Sequence, residues 1–116
     1  MVNLENPITT HGVKTKKKSN FKMNQRYLKL LTIAGIDVVS LANNHIYDYG
    51  GRGLLDTIHF LDSIGIKHVG AGKNLQEARK PVVFEVKGCR VAFLAYFGGG
   101  TFSATPTKPG LAPRIE

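Results

Sequence analysis

Short apolar runs alternate with amphipathic stretches along this chain. Val2-Asn3-Leu4-Glu5 reads as the end of a short strand, stopped by Asn6-Pro7. A polar, basic loop runs from Ile8 to Asn20. Asn24 is placed to cap a helix, because its short side chain can accept a bond from an orphan backbone amide. Tyr27, Leu28, Leu31 and Ile33 then supply an apolar stripe at helical spacing, and Gly35 ends it. Asp37 to Ala42 is a mostly apolar run of strand length, the pattern of a strand covered on both faces. After the polar loop Asn43 to Gly50, Leu54, Leu55, Ile58, Leu61 and Ile64 fall on one helix face, closed by Gly65. Lys67 to Gly70 is a short strand, and Leu75 to Arg79 a helical turn or two. Pro81 opens a strand through Val86, Lys87-Gly88 turns, and Cys89 to Tyr96 returns as a second strand.

Strands alternating with helices predict an α/β fold with a mostly parallel or mixed sheet. At 116 residues the chain is one domain at most. Its organised part is 1–96. Over 97–116 the composition shifts: eleven of the twenty residues are Gly, Pro, Ser or Thr, which reads as a loop or disordered tail.

Charge changes the picture less than its total suggests. Lys and Arg number 16 against 8 Asp and Glu, a net charge of +8. Seven of the sixteen bases lie between Lys14 and Lys29, and no acid occurs between Glu5 and Asp37. The remainder is nearly balanced, so basicity belongs to one segment. That segment has no interleaved aromatic platform, and nucleic acid is not the expected partner. The longest apolar run, Val91 to Phe97, falls well short of the roughly 20 residues that cross a membrane as a helix. Met1 to Thr10 lacks the basic start and apolar stretch of a signal peptide, so the chain as written is expected to be cytoplasmic. A single cysteine, Cys89, excludes an internal disulfide and is expected to be an inert core or edge thiol.

Ligands of parallel sheets bind beyond the carboxyl ends of the strands. Two polar clusters fall there: Asn3 and Glu5 after the first strand, and Asn43-Asn44-His45 after the second. Amide oxygens and imidazole nitrogens are candidate metal ligands or proton carriers, and Glu5 adds an anionic donor. A plainer reading stands beside this one: asparagines after a strand often serve the turn through local backbone bonds. Asp48 likewise has two readings, a cap for the helix beginning near Gly51 or a member of the polar cluster. His11, His59 and His68 read as structural or solvated. Ala71-Gly72-Lys73 lacks the spaced glycines and the Lys-Ser/Thr pair of a phosphate loop.

Several ordered blocks resemble the CapA-type poly-γ-glutamate capsule biosynthesis proteins. They are Val2-Asn3-Leu4-Glu5-Asn6-Pro7-Ile8-Thr9, Ala34 through His45, Asp48-Tyr49-Gly50, Gly53 through Thr57, Gly70-Ala71-Gly72 followed by Glu77-Ala78-Arg79 and Pro81, and the hairpin Lys87 to Tyr96. The resemblance implies a layered sandwich like that of the calcineurin-type metallophosphoesterases, with a dinuclear metal site at strand ends. It implies Asn44 and Glu5 as metal ligands and His45 as the catalytic acid that protonates a leaving group. Asp48 and Asn43 would support them from behind. The metal would be a divalent ion such as Mn, Fe, Zn or Mg. The Gly-Asp motif that the resemblance expects before Asn3 is absent, and no histidine follows His68. The expected domain is therefore a partial one, incomplete at both ends, with an exposed sheet edge open to self-association.

The function implied is capsule or cell-envelope polymer synthesis, with a phosphoester or an anionic polymer as substrate and capsule-synthesis membrane proteins as partners. The family setting implies the cell envelope. The alternative is a non-catalytic polymer-binding or assembly component, in which Lys16, Lys17 and Lys18 attract the anionic chain.

Overall fold

A computed structural model describes residues 1–10, 12–15, 22–98 and 102–114. Its centre is a three-stranded parallel sheet in the order β1-β2-β3, formed by Val2–Asn3, Val38–Ser40 and Lys67–Val69. The register pairs Val2 with Val39 and Val39 with His68. β1 is an edge strand and both its residues are exposed. Val38 and Val39 of β2 are buried, as the apolar run predicts for a middle strand.

The connections are helical. Between β1 and β2 lie a 3-10 turn, Gln25–Tyr27, and the short helix α1, Lys29–Ile33. Asn24 caps the turn by accepting a bond from the Arg26 amide. The expected stripe here is only half realised. Leu28 is buried and Leu31 packs against the core, but Tyr27 and Ile33 stand exposed. Five helical residues are too few to carry a full amphipathic face, so α1 turns its remaining apolar side chains to the surface.

Between β2 and β3 runs α2, Gly50–Ser63, which buries Gly53, Leu54, Thr57 and Leu61 on one face. Its spacing is the one the sequence predicts, with Leu55 and Ile64 at the exposed margin. Both helices end the same way. Gly35 and Gly65 take positive φ of 72° and 74°. The following isoleucines then donate back into the last turn, Ile36 N to Leu31 O and Ile66 N to Leu61 O, each at 3.0 Å. This is the glycine stop in which the residue after glycine satisfies an orphan carbonyl. It delivers the chain straight into β2 and β3.

Beyond β3 the architecture is antiparallel. β4, Ala71–Gly72, pairs with β7, Gly110–Leu111, and between them sits α3, Leu75–Ala78. β5, Val82–Val86, and β6, Cys89–Phe93, form a hairpin closed by Lys87-Gly88. The second strand stops at Phe93 rather than Tyr96, and Cys89 is exposed. The fold is thus mixed α/β with parallel and antiparallel sheets.

The segment expected as a loop or disordered tail departs most from expectation. Within 102–114, Ala104, Leu111 and Ala112 are buried and Phe102 stacks on Tyr47 at 4.9 Å between ring centres. Ala112 N donates to Gly70 O at 2.8 Å, while Ala112 O accepts from Phe97 N at 2.9 Å. Small residues make this docking possible. A β-carbon on Gly51 of α2 would lie 2.9 Å from Pro109 Cγ, and one on Gly110 would lie 2.5 Å from Ala104 N. Composition registers these residues as turn formers, whereas here they permit close backbone approach.

Leu111→Ala should therefore lower unfolding free energy by about 2–5 kcal/mol in urea titration, the range of a buried leucine truncation. Leu30→Ala on the exposed side of α1 should change it by under about 0.5 kcal/mol. Equal small effects would mean that the C-terminal segment is not docked.

Candidate acid-base site at the strand ends

β1 and β2 run parallel, so the residues that follow them emerge at the same sheet edge. Leu4 N still donates to Ser40 O at 3.0 Å, which keeps the two chains in step one residue past the strands. Asn43 then locks them together. Its amide nitrogen donates to Asn3 Oδ1 at 3.0 Å and to the Leu4 carbonyl at 2.8 Å. Its amide oxygen accepts from the backbone amides of His45 at 3.0 Å and Ile46 at 2.9 Å. The turn role that plain propensity assigns to Asn43 is therefore real, and it reaches across strands as well.

That turn carries His45 inward. Its side chain is 12% exposed, and Nδ1 lies 2.6 Å from Oδ2 of Asp48, whose side chain is fully buried. A carboxylate only accepts, so Nδ1 carries the shared proton and Nε2 is left as the working nitrogen. Nε2 faces Glu5 Oε1 at 3.6 Å, and Glu5 is 47% exposed. Asp48 does not cap α2: the cap position is Tyr49, without a side-chain bond. Asn44 is exposed on the same loop. Asn43, His45, Asp48 and Glu5 thus converge as a connected group. Lys16, Lys17 and Lys18 lie outside the described residues.

Two anchors behind the site are not legible from motif reading. Thr57, buried on α2, accepts a bond from Ile8 N at 2.8 Å and donates to Gly53 O at 2.8 Å. Thr9 Oγ1 donates to Asp56 Oδ2 at 2.7 Å. Together they fasten the Pro7–Thr9 segment to α2 and so fix where Glu5 leaves β1. The only sequence signal is a threonine on the buried stripe of α2, a type that is neutral to unfavourable inside helices.

Among the described residues no group of three or more His, Cys, Asp or Glu side chains could hold a metal ion. Nδ1 of His45 is committed to Asp48, which leaves one carboxylate, one amide and one imidazole nitrogen at this edge. These residues alone do not fit a two-metal site, which draws ligands from several loops.

Comparison with known proteins assigns the family. The model of the bacterial capsule synthesis protein PGA_cap family matches residues 1–113, and the chain belongs to that family. It is 33% identical over 110 residues to the capsule biosynthesis protein CapA of Bacillus anthracis, covering 91% of this chain and 27% of that protein. It is 32% identical over 116 residues to the PGA biosynthesis protein CapA of Bacillus subtilis, covering 96% of this chain and 30% of that one. A probable polyglutamine synthesis accessory protein of Mycobacterium tuberculosis is 39% identical over 87 residues, covering 74% of this chain and 23% of that protein. The chain therefore spans less than a third of the length of these relatives. No helix among the described residues is long and apolar enough to cross a membrane.

Two outcomes check this geometry. In neutral His45, ring nitrogen NMR should find the proton on Nδ1, and Asp48→Ala should return the ring to the Nε2-H form usual in solution. Asn43→Ala should cost about 2–4 kcal/mol in denaturant titration, because it strands several buried partners at once. A loss below ~0.5 kcal/mol would show the strand-end lock to be incidental.

Proposed function

We propose that this chain forms the acid-base edge of a hydrolase-type site that serves poly-γ-glutamate capsule biosynthesis. The observation that carries it is the Asp48–His45–Glu5 arrangement at the joined ends of β1 and β2. A buried carboxylate that fixes the tautomer of a partly accessible imidazole is a recurrent design for proton transfer. His45 donates a proton to a departing oxygen through Nε2, and Asp48 holds the ring in place through Nδ1. Glu5 faces the same nitrogen and sets the polarity of the edge. The phosphoester class is supported by the resemblance of the Asn43-Asn44-His45 block to metallophosphoesterases, and so is the layered sandwich fold.

A divalent ion such as Mn, Fe, Zn or Mg, bound at this edge, would supply Lewis-acid activation. It would draw on Glu5 and Asn44 and needs further ligands from beyond the described residues. Hence titration of Mn2+ or Zn2+ into the isolated chain should give no tight binding by calorimetry. A stoichiometric, tight isotherm would overturn that ligand assignment.

The reaction itself is testable in a chimera in which this chain replaces the matching segment of the Bacillus subtilis protein. His45→Ala should lower polymer output by about 10²- to 10⁴-fold, the usual contribution of a positioned acid-base group. His59→Ala, on the exposed side of α2, should leave output unchanged. Full output from the His45 variant would exclude the acid-base role and leave the polymer-binding alternative.

A further inference from the structure

The outer face of α1 lies away from the strand-end group and carries apolar side chains in solvent. From Gln25 to Ile33 the 3-10 turn and α1 form one short rod. Leu28 and Leu31 pack from it into the core. Tyr27, Leu30 and Ile33, spaced three apart, form a second stripe that is 42%, 55% and 76% exposed. Across an open trough of about 560 Å³ the end of α2 adds Phe60 and Ile64, the latter 39% exposed.

The charge on this face has one sign. Arg26 and Lys29 line the trough, and among the described residues no carboxylate does. The neighbouring acids belong elsewhere: Asp62 pairs with His68 at 2.9 Å in the groove against β5, and Asp37 lines a small cavity beneath the β5–β6 hairpin. The sequence carries no acid from Asn6 to Ile36. Among the described residues neither Arg26 nor Lys29 forms an ion pair. The Arg26 guanidinium lies over the Tyr27 ring at 5.0 Å, which holds its charge beside the exposed stripe.

We propose that this face docks on an anionic lipid surface. Tyr27, Leu30 and Ile33 enter between the headgroups, and Arg26 and Lys29 pair with the lipid phosphates. Protruding apolar side chains beside uncompensated cations are the combination by which amphipathic segments lie in a bilayer interface. Charge draws the face to the surface, and burial of the stripe among acyl chains holds it there. A free phosphate would engage the cations and leave the stripe in water. A protein partner draws its affinity from side chains seated in closed, desolvated pockets, whereas this stripe stands proud of an open trough. The contact is peripheral and needs no spanning helix. It rests neither on the acid-base role of His45 nor on the capsule-polymer reading.

The chain contains no tryptophan, so Ile33→Trp is a lone fluorescent reporter. On vesicles of phosphatidylglycerol and phosphatidylcholine at low salt its emission should shift to the blue and be quenched by brominated acyl chains. Pure phosphatidylcholine should give no such shift, and added salt should reverse it. In vesicle sedimentation R26Q/K29Q should partition about thirtyfold more weakly, roughly a factor of five for each cation. K67Q/K80Q removes the same charge away from this face and should cost no more than about twofold. L30S/I33S should lower partitioning about tenfold or more. All these side chains are exposed, so the variants should keep the parent's unfolding midpoint. Equal losses in R26Q/K29Q and K67Q/K80Q would reduce the attraction to net charge and overturn the face. Release by inorganic phosphate at equal ionic strength to an inert salt, beyond what that salt releases, would overturn the lipid source. Emission unchanged by every vesicle would overturn lipid docking and leave the face to a protein partner.

Discussion

The side-chain amide of Asn43 is the constraint on which the candidate site depends. Two parallel strands reach the same edge, but nothing in strand pairing fixes the loops beyond them. Asn43 does so with four hydrogen bonds, two to the residues after β1 and two within its own turn. Each such bond is worth about 0.5–1.5 kcal/mol net, so the set rivals the burial of a leucine or two. Few side chains can replace it. Aspartate could accept both backbone amides but could not donate to the Leu4 carbonyl, and leucine would leave every partner unsatisfied inside the fold.

The same economy governs the layer beneath. Helices α1 and α2 each stop at a glycine followed by isoleucine, and each isoleucine returns a bond to the final turn before its chain enters a strand. The stop fixes both where a helix ends and the phase in which the next strand starts. Register in the parallel sheet follows: Val38 meets Lys67 and Ser40 meets Val69. That register lets Leu41 N pair with Val69 O and sends residues 43–48 out beside β1 instead of across β3.

How much of this was legible depends on whether the determinant is local. The long helix shows itself in Leu54, Leu55, Ile58, Leu61 and Ile64, because a 3.6-residue period is a one-dimensional signal. The polar cluster is legible for the same reason, since Asn43, His45 and Asp48 lie within six residues. The docking of 102–114 is not legible: Ala112 bonds to Phe97 and Gly70, Leu111 pairs with Ala71 and Pro109 lies against Gly51, all partners distant in sequence. Composition alone reads such residues as loop.

Locality also explains what a segment shorter than a third of its relatives can carry. Orientation of His45 needs only an i,i+3 carboxylate and an asparagine turn, both encoded within residues 43–48. Glu5 and Asn3 enter across a single strand pairing, and Thr57 and Thr9 steady that approach. The orientation of His45 is therefore set by short-range contacts within the described residues. A metal centre is the opposite case, because its ligands must come from several loops spread along a chain. Among the described residues this edge accordingly holds an imidazole fixed by a buried carboxylate beside too few donors to close a coordination sphere.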